Sequence, residues 1–127
     1  MRHYLLPKPD VMESFVVEDK ETKEITDFVS FYSLPSSLLK HVEYKKLNAA
    51  YSYYNVATKH NLVDLIRNAL ILAKKGGFDV YNALDIMENE QVLKELKFGV
   101  GDGNLHFYFY NWRIPGLDPK QIGIVLV

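Results

Sequence analysis

The stretch KFGVGDGNLHFYFYNW, from Lys97 to Trp112, holds the residues whose types and spacing most suggest a binding loop. Glycines at positions 99, 101 and 103 surround one acid, Asp102. Glycine lets the backbone approach a ligand closely or adopt a positive φ. An acid presented among glycines would favour a cation or an amide donor. The structural alternative is a helix end followed by a tight turn, and the residue types leave both interpretations open.

A phosphate-binding role does not fit this loop. A dinucleotide fingerprint needs a strand before the glycines and a helix after them, so that the phosphate meets a helix N-terminus. Here a helical pattern precedes the glycines and a strand pattern follows. The pyrophosphate loop of acetyltransferases, Gln/Arg-x-x-Gly-x-Gly, fails too, because its first position would be Leu96. Asp102 would also repel phosphate.

The aromatic residues after the loop alternate between two faces, which predicts a strand from Leu105 to Trp112. Both faces are bulky, so the strand is expected to be central and covered on both sides. One face would carry His106, Tyr108, Tyr110 and Trp112, whose polar tips suit a wall between core and ligand. Plain core packing is the alternative.

The elements that must position this region can be predicted from periodicity and turn residues. Strands are expected at Phe15–Glu18, Ile25–Tyr32, Ala49–Thr58, DVYNALD and the closing IGIVLV, and helices at Leu62–Lys75, capped by Asn61, and after Asn89, which would cap the second helix. The stretch LPSSLLKHVEYKKL is ambiguous and could form a short helix. This order predicts an α/β fold with an open, mixed sheet.

Composition excludes several function classes. The chain has 127 residues, enough for one domain, and its formal charge of −1 gives no reason to expect nucleic acid or anionic membrane as a partner. Cysteine is absent, and the four histidines show no metal-ligand spacing, so no metal site is predicted. No apolar run approaches the roughly 20 residues of a spanning helix. We expect a cytoplasmic protein.

The segment KFGVGDG, Lys97–Gly103, resembles a signature of the glycylpeptide N-tetradecanoyltransferase (N-myristoyltransferase) family. The segments TDFVSFYSLPSS, AAYSYYNVAT, KGGFDVYNALDIMEN and GIVLV resemble the family in the same order. The resemblance implies an acetyltransferase-like half-domain with a mixed sheet and flanking helices. It also implies that residues 1–127 are the C-terminal, peptide-binding portion of that fold, a fragment without the N-terminal acyl-CoA-binding half.

Enzymes of this family transfer myristate from myristoyl-CoA to the N-terminal glycine of proteins, so glycine-starting peptides and the missing half are the implied partners. Myristoyl-CoA would be the co-substrate of the intact enzyme, with no cofactor bound by this chain. The resemblance makes the terminal carboxylate of Val127 the catalytic base. It assigns the peptide groove to Tyr32, Ser36, Tyr51, Asp102, Gly103, Leu105 and Leu126.

Two other functions stay open from the sequence. One is a non-catalytic peptide-binding module derived from the enzyme. The other is a stand-alone acetyltransferase-like enzyme, which the lack of an acyl-CoA phosphate loop disfavours. We expect this chain alone to be inactive, and to self-associate or require the missing half, because cutting a two-half protein exposes apolar surface and a strand edge.

Overall fold

The computed structural model describes residues 2–39 and 42–125. Its main sheet is mixed and has the strand order β1 (Met12–Glu18), β2 (Ile25–Ser33), β5 (Ala49–Ala57), β6 (Val80–Asn82). Strands β5 and β6 are parallel, and the other neighbours are antiparallel. This confirms the predicted α/β class. The elements in chain order are α1 (Arg2–Leu5), β1 (Met12–Glu18), β2 (Ile25–Ser33), β3 (Ser36–Ser37), β4 (Lys46–Leu47), β5 (Ala49–Ala57), α2 (Leu62–Lys75), β6 (Val80–Asn82), α3 (Asn89–Glu95) and a 3₁₀ turn at Pro119–Gln121.

Helix α2 packs on one face of the sheet and has the predicted bounds. At its start Asn61 Oδ1 accepts a hydrogen bond from the Val63 N–H at 2.8 Å, which confirms the predicted cap. At its end Gly77 adopts a φ of 80°, the left-handed conformation that commonly follows a helix. The apolar stripe of α2 packs against Val29 and Phe31 of β2 and forms the larger core cluster.

The opposite face of the sheet carries a second apolar cluster. Its buried members are Met12, Tyr53, Ile86 and Val125, from widely separated parts of the chain. Because side chains alternate along a strand, Phe31 points toward α2 and its neighbour Tyr32 packs against this second cluster. The sheet therefore has a helix-covered face and a tyrosine-bearing face.

Two local predictions were wrong. The stretch after Pro35 forms a small two-stranded sheet rather than a short helix, with Ser36 opposite Leu47. Asn89 does not cap α3: the helix follows Glu88, and the Asn89 side-chain amide donates to the Leu84 carbonyl at 2.8 Å.

The predicted strand from Leu105 to Trp112 is also absent, and so is a strand at residues 122–125. Tyr108, Tyr110 and Trp112 are 88%, 89% and 76% exposed, so the segment is not central. A strand forms only where another backbone pairs with it. The edges of the main sheet are β1 and the three-residue β6, and neither pairs with this segment within the described chain. The bulky side chains on both faces of the segment likewise lack cover.

Candidate functional site

Two of the predicted groove residues, Tyr32 and Tyr51, lie together on the tyrosine-bearing face. They are opposite each other across β2 and β5, and their rings stack with centroids 5.3 Å apart. The Tyr53 ring meets Tyr32 edge-on at 5.9 Å. Burial raises the pKa of Tyr32, and the neighbouring Tyr51 and Tyr53 hydroxyls raise it further. The Tyr32 hydroxyl is therefore neutral at physiological pH and can donate or accept a hydrogen bond.

A β-bulge brings a fourth tyrosine, Tyr54, to this face. The pairing of β2 with β5 shifts between Val29 and Phe31, and the intervening Ser30 is fully buried. The Ser30 hydroxyl donates to the Tyr54 carbonyl at 2.8 Å and lies 3.2 Å from the Tyr54 N–H, which donates to it. Bulges re-aim side chains. As a result Tyr53 and Tyr54, although consecutive, both belong to the second cluster, with ring centroids 4.5 Å apart.

The C-terminal segment lies against the same face. Val125 is 7% exposed and packs in the cluster with Tyr53, and its N–H donates to the Tyr54 hydroxyl at 3.1 Å. Leu126 and Val127, the predicted groove residue and base, lie outside the described residues. The last described residue is therefore held on the tyrosine-bearing face by Tyr54 and the second cluster.

Ser36 is exposed in β3 and its side chain makes no hydrogen bond within residues 2–39 and 42–125. Asp102 and Gly103 are exposed and lie in irregular backbone, and Asp102 has neither a hydrogen bond nor an ion pair with any residue that the structure describes. Leu105, 50% exposed, lines a groove of about 570 Å³ together with residues of the C-terminal segment, Ile122 and Ile124 among them. No contact is seen between the glycine loop and the tyrosine pair in the described chain.

The glycines of the loop are not explained by the structure of the chain itself. Helix α3 is closed by Lys97, whose φ is 56°, with Lys97 N–H bonded to the Lys94 carbonyl and Phe98 N–H to the Leu93 carbonyl. The cap therefore precedes the first glycine. At positions 99, 101 and 103 φ is not positive, and an added Cβ would meet nothing within 4 Å. The helix-cap interpretation therefore does not apply to these glycines, because the helix is closed before Gly99.

The loop between β5 and α2 has the strand–loop–helix order that phosphate-binding loops use, but its amides are occupied. The N–H groups of Thr58, Lys59 and His60 all donate to Oδ1 of Asp27, at 2.8, 3.1 and 3.2 Å. The Asp27 side chain is fully buried. An internal carboxylate thus fills the position at which an anionic ligand would bind these amides.

Another cavity lies on the helix-covered face of the sheet. It has a volume of about 690 Å³ and its lining includes Phe15, Phe31, Phe78 and Gly76, with no predicted groove residue among the lining. Within the described chain, no group of three or more histidine and acidic side chains is placed to hold a metal ion. No helix in residues 2–39 and 42–125 has the length and apolar character needed to span a membrane.

Sequence reasoning missed Ser30, Tyr54 and Asp27. The sequence YSYYNV shows alternating tyrosines, but a bulge has no simple sequence signature, so Tyr54 is expected on the wrong face. Asp27 lies inside an apolar strand, and a buried acid there requires hydrogen-bond donors. An acid within an apolar strand could therefore have indicated that a loop supplies donors to Asp27, as the loop between β5 and α2 does.

Comparison with known proteins agrees with the resemblance. Residues 1–125 match the family model described as the C-terminal domain of myristoyl-CoA:protein N-myristoyltransferase. Glycylpeptide N-tetradecanoyltransferase 1 of Arabidopsis thaliana is 55% identical over 128 residues, covering 100% of this chain and 30% of that protein. Glycylpeptide N-tetradecanoyltransferase 2 of Danio rerio is 52% identical over 126 residues, covering 99% of the chain and 25% of that protein.

Solved structures give the same result. The crystal structure of Saccharomyces cerevisiae N-myristoyltransferase with bound myristoyl-CoA superposes with a TM-score of 0.72 at 37% identity, covering 80% of this chain and 29% of that one. The ribosomal-protein-alanine N-acetyltransferase of Brucella melitensis, at 16% identity and a TM-score of 0.55, shares the fold. The chain spans less than a third of the length of these N-myristoyltransferase relatives. It belongs to the N-myristoyltransferase family and matches the C-terminal domain of that family.

Proposed function

We propose that this chain is the C-terminal portion of an enzyme that transfers myristate from myristoyl-CoA to the N-terminal glycine of proteins. In this proposal residues 1–127 supply the peptide groove and the catalytic base, and an N-terminal half supplies the acyl-CoA site. The observation that carries the proposal is the position of the C-terminal segment. Val125 is buried on the face that presents Tyr32 and Tyr51, two residues before the proposed base.

The stacked tyrosines suit one wall of a peptide groove. Aromatic rings offer a rigid apolar surface, and their hydroxyls can bond to a peptide backbone. Ser36 and Leu126 belong to the same proposed wall, with Ser36 four residues after Tyr32. The groove runs toward the glycine loop in this proposal.

The glycine loop supplies the second part of the groove. Asp102 and Gly103 are exposed, and the glycines are used neither for a cap nor for internal packing. Backbone without side chains can lie close to a bound peptide. The Asp102 carboxylate is then available for a basic side chain of the peptide, and Leu105 for an apolar contact.

The chemistry needs a base for the glycine ammonium. The carboxylate of Val127 accepts a proton from that ammonium, and the free amine then attacks the thioester carbonyl carbon. A C–N bond forms, the C–S bond breaks, and coenzyme A leaves as the thiol after gaining a proton. The unperturbed pKa of a terminal carboxyl is about 3.3 to 3.7, so the group is ionised near neutral pH.

A non-catalytic role of this chain in isolation has its own support. The backbone amides that could bind an acyl-CoA phosphate between β5 and α2 are taken by Asp27. We therefore expect the isolated chain to bind glycine-starting peptides without transferring an acyl group, and to show no saturable binding of myristoyl-CoA by calorimetry. A cytoplasmic location is part of the proposal, because a cysteine-free sequence fits a reducing compartment.

Complementation in trans tests the proposal. Acyl transfer to a glycine-starting peptide is measured with this chain alone, with the N-terminal half of a relative alone, and with both together. Transfer is expected with both only. The matched control is the same chain without residues 126 and 127, which keeps the packing of Ile122 and Val125 and should bind the N-terminal half without restoring transfer. Full transfer by the N-terminal half alone, or with the truncated chain, would contradict the proposed contribution of this chain.

A further inference from the structure

The bulge in β5, where Tyr53 and Tyr54 together oppose Ser30 of β2, fixes Tyr54 by its backbone. Ser30 has no exposed surface, and its hydroxyl both donates to the Tyr54 carbonyl and accepts from the Tyr54 N–H. The Ser30 N–H lies 3.3 Å from Asn55 Oδ1, and Asn55 Nδ2 donates to Ser52 Oγ at 3.0 Å. Buried polar networks of this kind specify a single geometry when their members are satisfied. The start of the Tyr54 side chain is therefore held firmly.

The end of that side chain holds the C-terminal segment. The Tyr54 hydroxyl accepts the N–H of Val125 at 3.1 Å, a contact between residues 71 positions apart. Residues 122–125 form no strand with another part of the described chain, so no ladder fixes their position. The tether is this hydrogen bond together with the packing of Ile122 and Val125 in the second cluster.

We propose that Tyr54 is a positioning residue for the proposed catalytic carboxylate; this rests on the proposed function. Two residues of extended chain span at most about 7 Å. Holding the Val125 amide therefore limits how far the proposed base can move from the tyrosine-bearing face. Loss of the tether lets the carboxylate sample positions from which it cannot reach the peptide ammonium, and misplacement of a catalytic group by about 1 Å is costly.

The alternative is that Tyr54 only stabilises the fold. The two roles predict different results for Tyr54→Phe, which removes the hydroxyl and keeps the ring in the cluster. A structural role lowers the melting temperature and leaves kcat of the folded enzyme unchanged. A positioning role lowers kcat while the KM for peptide stays within about twofold, because the groove tyrosines are untouched.

The experiment uses the full-length enzyme that contains this chain. We expect Tyr54→Phe to lower kcat about five- to tenfold, the effect of losing one net hydrogen bond. The matched control is Tyr81→Phe, the same chemical change at a buried hydroxyl that has no partner among the described residues and lies in β6 beside Phe31 and Phe98. Its kcat should stay within twofold of wild type.

A second background makes the test specific. In an enzyme extended by a short polar tail after Val127, the carboxylate is already displaced, so Tyr54→Phe should change the residual kcat by less than twofold. The inference would be overturned if Tyr54→Phe lowered kcat by the same factor in the extended and the unextended enzyme. It would also be overturned if kcat of the unextended enzyme did not change.

Hydrogen exchange tests the tether without relying on activity. Tyr54→Phe should accelerate exchange in residues 120–127 and leave the α2 peptide unchanged. An unchanged C-terminal rate would overturn the inference. If exchange accelerates but the wild-type enzyme shows no acyl transfer, the tether stands and the proposed function falls.

Discussion

The Nδ1 atom of His60 lies 2.7 Å from Oδ2 of the buried Asp27 carboxylate. Since an ionised carboxylate only accepts hydrogen bonds, Nδ1 of His60 carries the hydrogen. Thr26 Oγ1 donates to the same oxygen at 2.6 Å. The Thr26 hydroxyl, followed by the His60 ring and the loop amides, lowers the pKa of Asp27 well below its ordinary value, and it does so against burial, which raises it.

This geometry predicts an acid-sensitive loop. A carboxyl whose folded-state pKa is depressed contributes stability above its unfolded pKa of about 3.9, and that contribution is lost as pH falls toward the folded-state value. We therefore expect the melting temperature, measured from pH 7 to pH 3, to stay level at first and to decrease once the pH is lower than about 4.5. Asp27→Asn replaces the carboxylate by a neutral amide whose NH₂ group would face hydrogen-bond donors. This variant should have a lower melting temperature at pH 7 and a weaker dependence of melting temperature on pH.

Asp64→Asn is the matched control for that series. Asp64 pairs with Arg67 on the exposed surface of α2, and exposed pairs contribute little. Its pH profile should follow that of the wild type. Equal profiles for Asp27→Asn and wild type would show that the loop does not depend on the carboxylate charge.

Removing the Tyr81 hydroxyl, unlike neutralising Asp27, should not destabilise the fold. This hydroxyl is buried, and the nearby Ser52 hydroxyl does not make a hydrogen bond to it within the described chain. Burial raises the pKa of Tyr81 to about 12. Removing an unsatisfied polar group relieves a desolvation penalty. Tyr81→Phe should leave the free energy of unfolding unchanged or raise it by up to about 1 kcal/mol.

Tyr81→Ala separates the ring from the hydroxyl. The ring packs edge-on against Phe31 and Phe98, so its loss should cost about 3 to 5 kcal/mol in denaturant unfolding. A loss of more than 1 kcal/mol for Tyr81→Phe would mean that the hydroxyl has a partner, for instance a bound water.

The sequence predicted those elements whose signals are local. Helix α2 has a capping Asn61, an apolar stripe and terminal glycines, and each signal acts within a few residues. The hairpin of β1 and β2 follows from alternation around a charged turn. The prediction of a strand at Leu105–Trp112 was wrong for a physical reason. Alternation shows that a segment is suited to a strand, but the strand forms only when a second strand lies beside it. Two predicted groove residues, Tyr32 and Tyr51, lie side by side, and their role in a groove stays a prediction. The bulge that places Tyr54 depends on long-range register, which local sequence does not show.

The exposed aromatic segment predicts self-association of the isolated chain. Phe109, Tyr110 and Trp112 are 56%, 89% and 76% exposed, and contiguous apolar surface of this kind drives association. Light scattering should show oligomers at micromolar concentration. The double change Phe109→Lys and Trp112→Lys should shift the population toward monomer.

Val16→Lys and Ile71→Lys, at sites 53% and 48% exposed on β1 and α2, are matched controls that should leave the oligomers intact. A monodisperse wild-type monomer would contradict the prediction. The N-terminal half of a relative, added in excess, should also dissolve the oligomers if it covers the same segment.

Asp102 should set a preference for basic peptides. It is exposed and without an ion pair in the described chain, so its carboxylate is available to a ligand. A charge-assisted hydrogen bond in a closed complex contributes about 1 to 3 kcal/mol. In the full-length enzyme Asp102→Asn should lower kcat/KM at least about fivefold for a peptide with lysine near the glycine.

The comparison peptide has alanine in place of that lysine, and its kcat/KM should change less than twofold. Asp102→Glu, which keeps the charge, should retain more of the lysine preference than Asp102→Asn. Equal losses on both peptides would assign Asp102 a structural role in the loop.

The terminal carboxylate predicts an asymmetry at Val127. The side chain need only pack, so Val127→Leu in the full-length enzyme should retain most activity. Deleting Val127, or adding a short polar tail after it, removes or displaces the carboxylate. Either change should lower kcat by 10²-fold or more, about the contribution of a general base, while peptide KM changes little.

Amidation of the terminal carboxyl isolates the charge from chain length. A semisynthetic enzyme with a C-terminal amide at Val127 keeps every residue and loses only the negative charge. Its kcat should fall as far as that of the deletion variant, because an amide cannot take up a proton from the glycine ammonium near neutral pH. If the amidated or the extended enzyme retains full kcat, another group removes that proton and the terminal carboxylate is not the base.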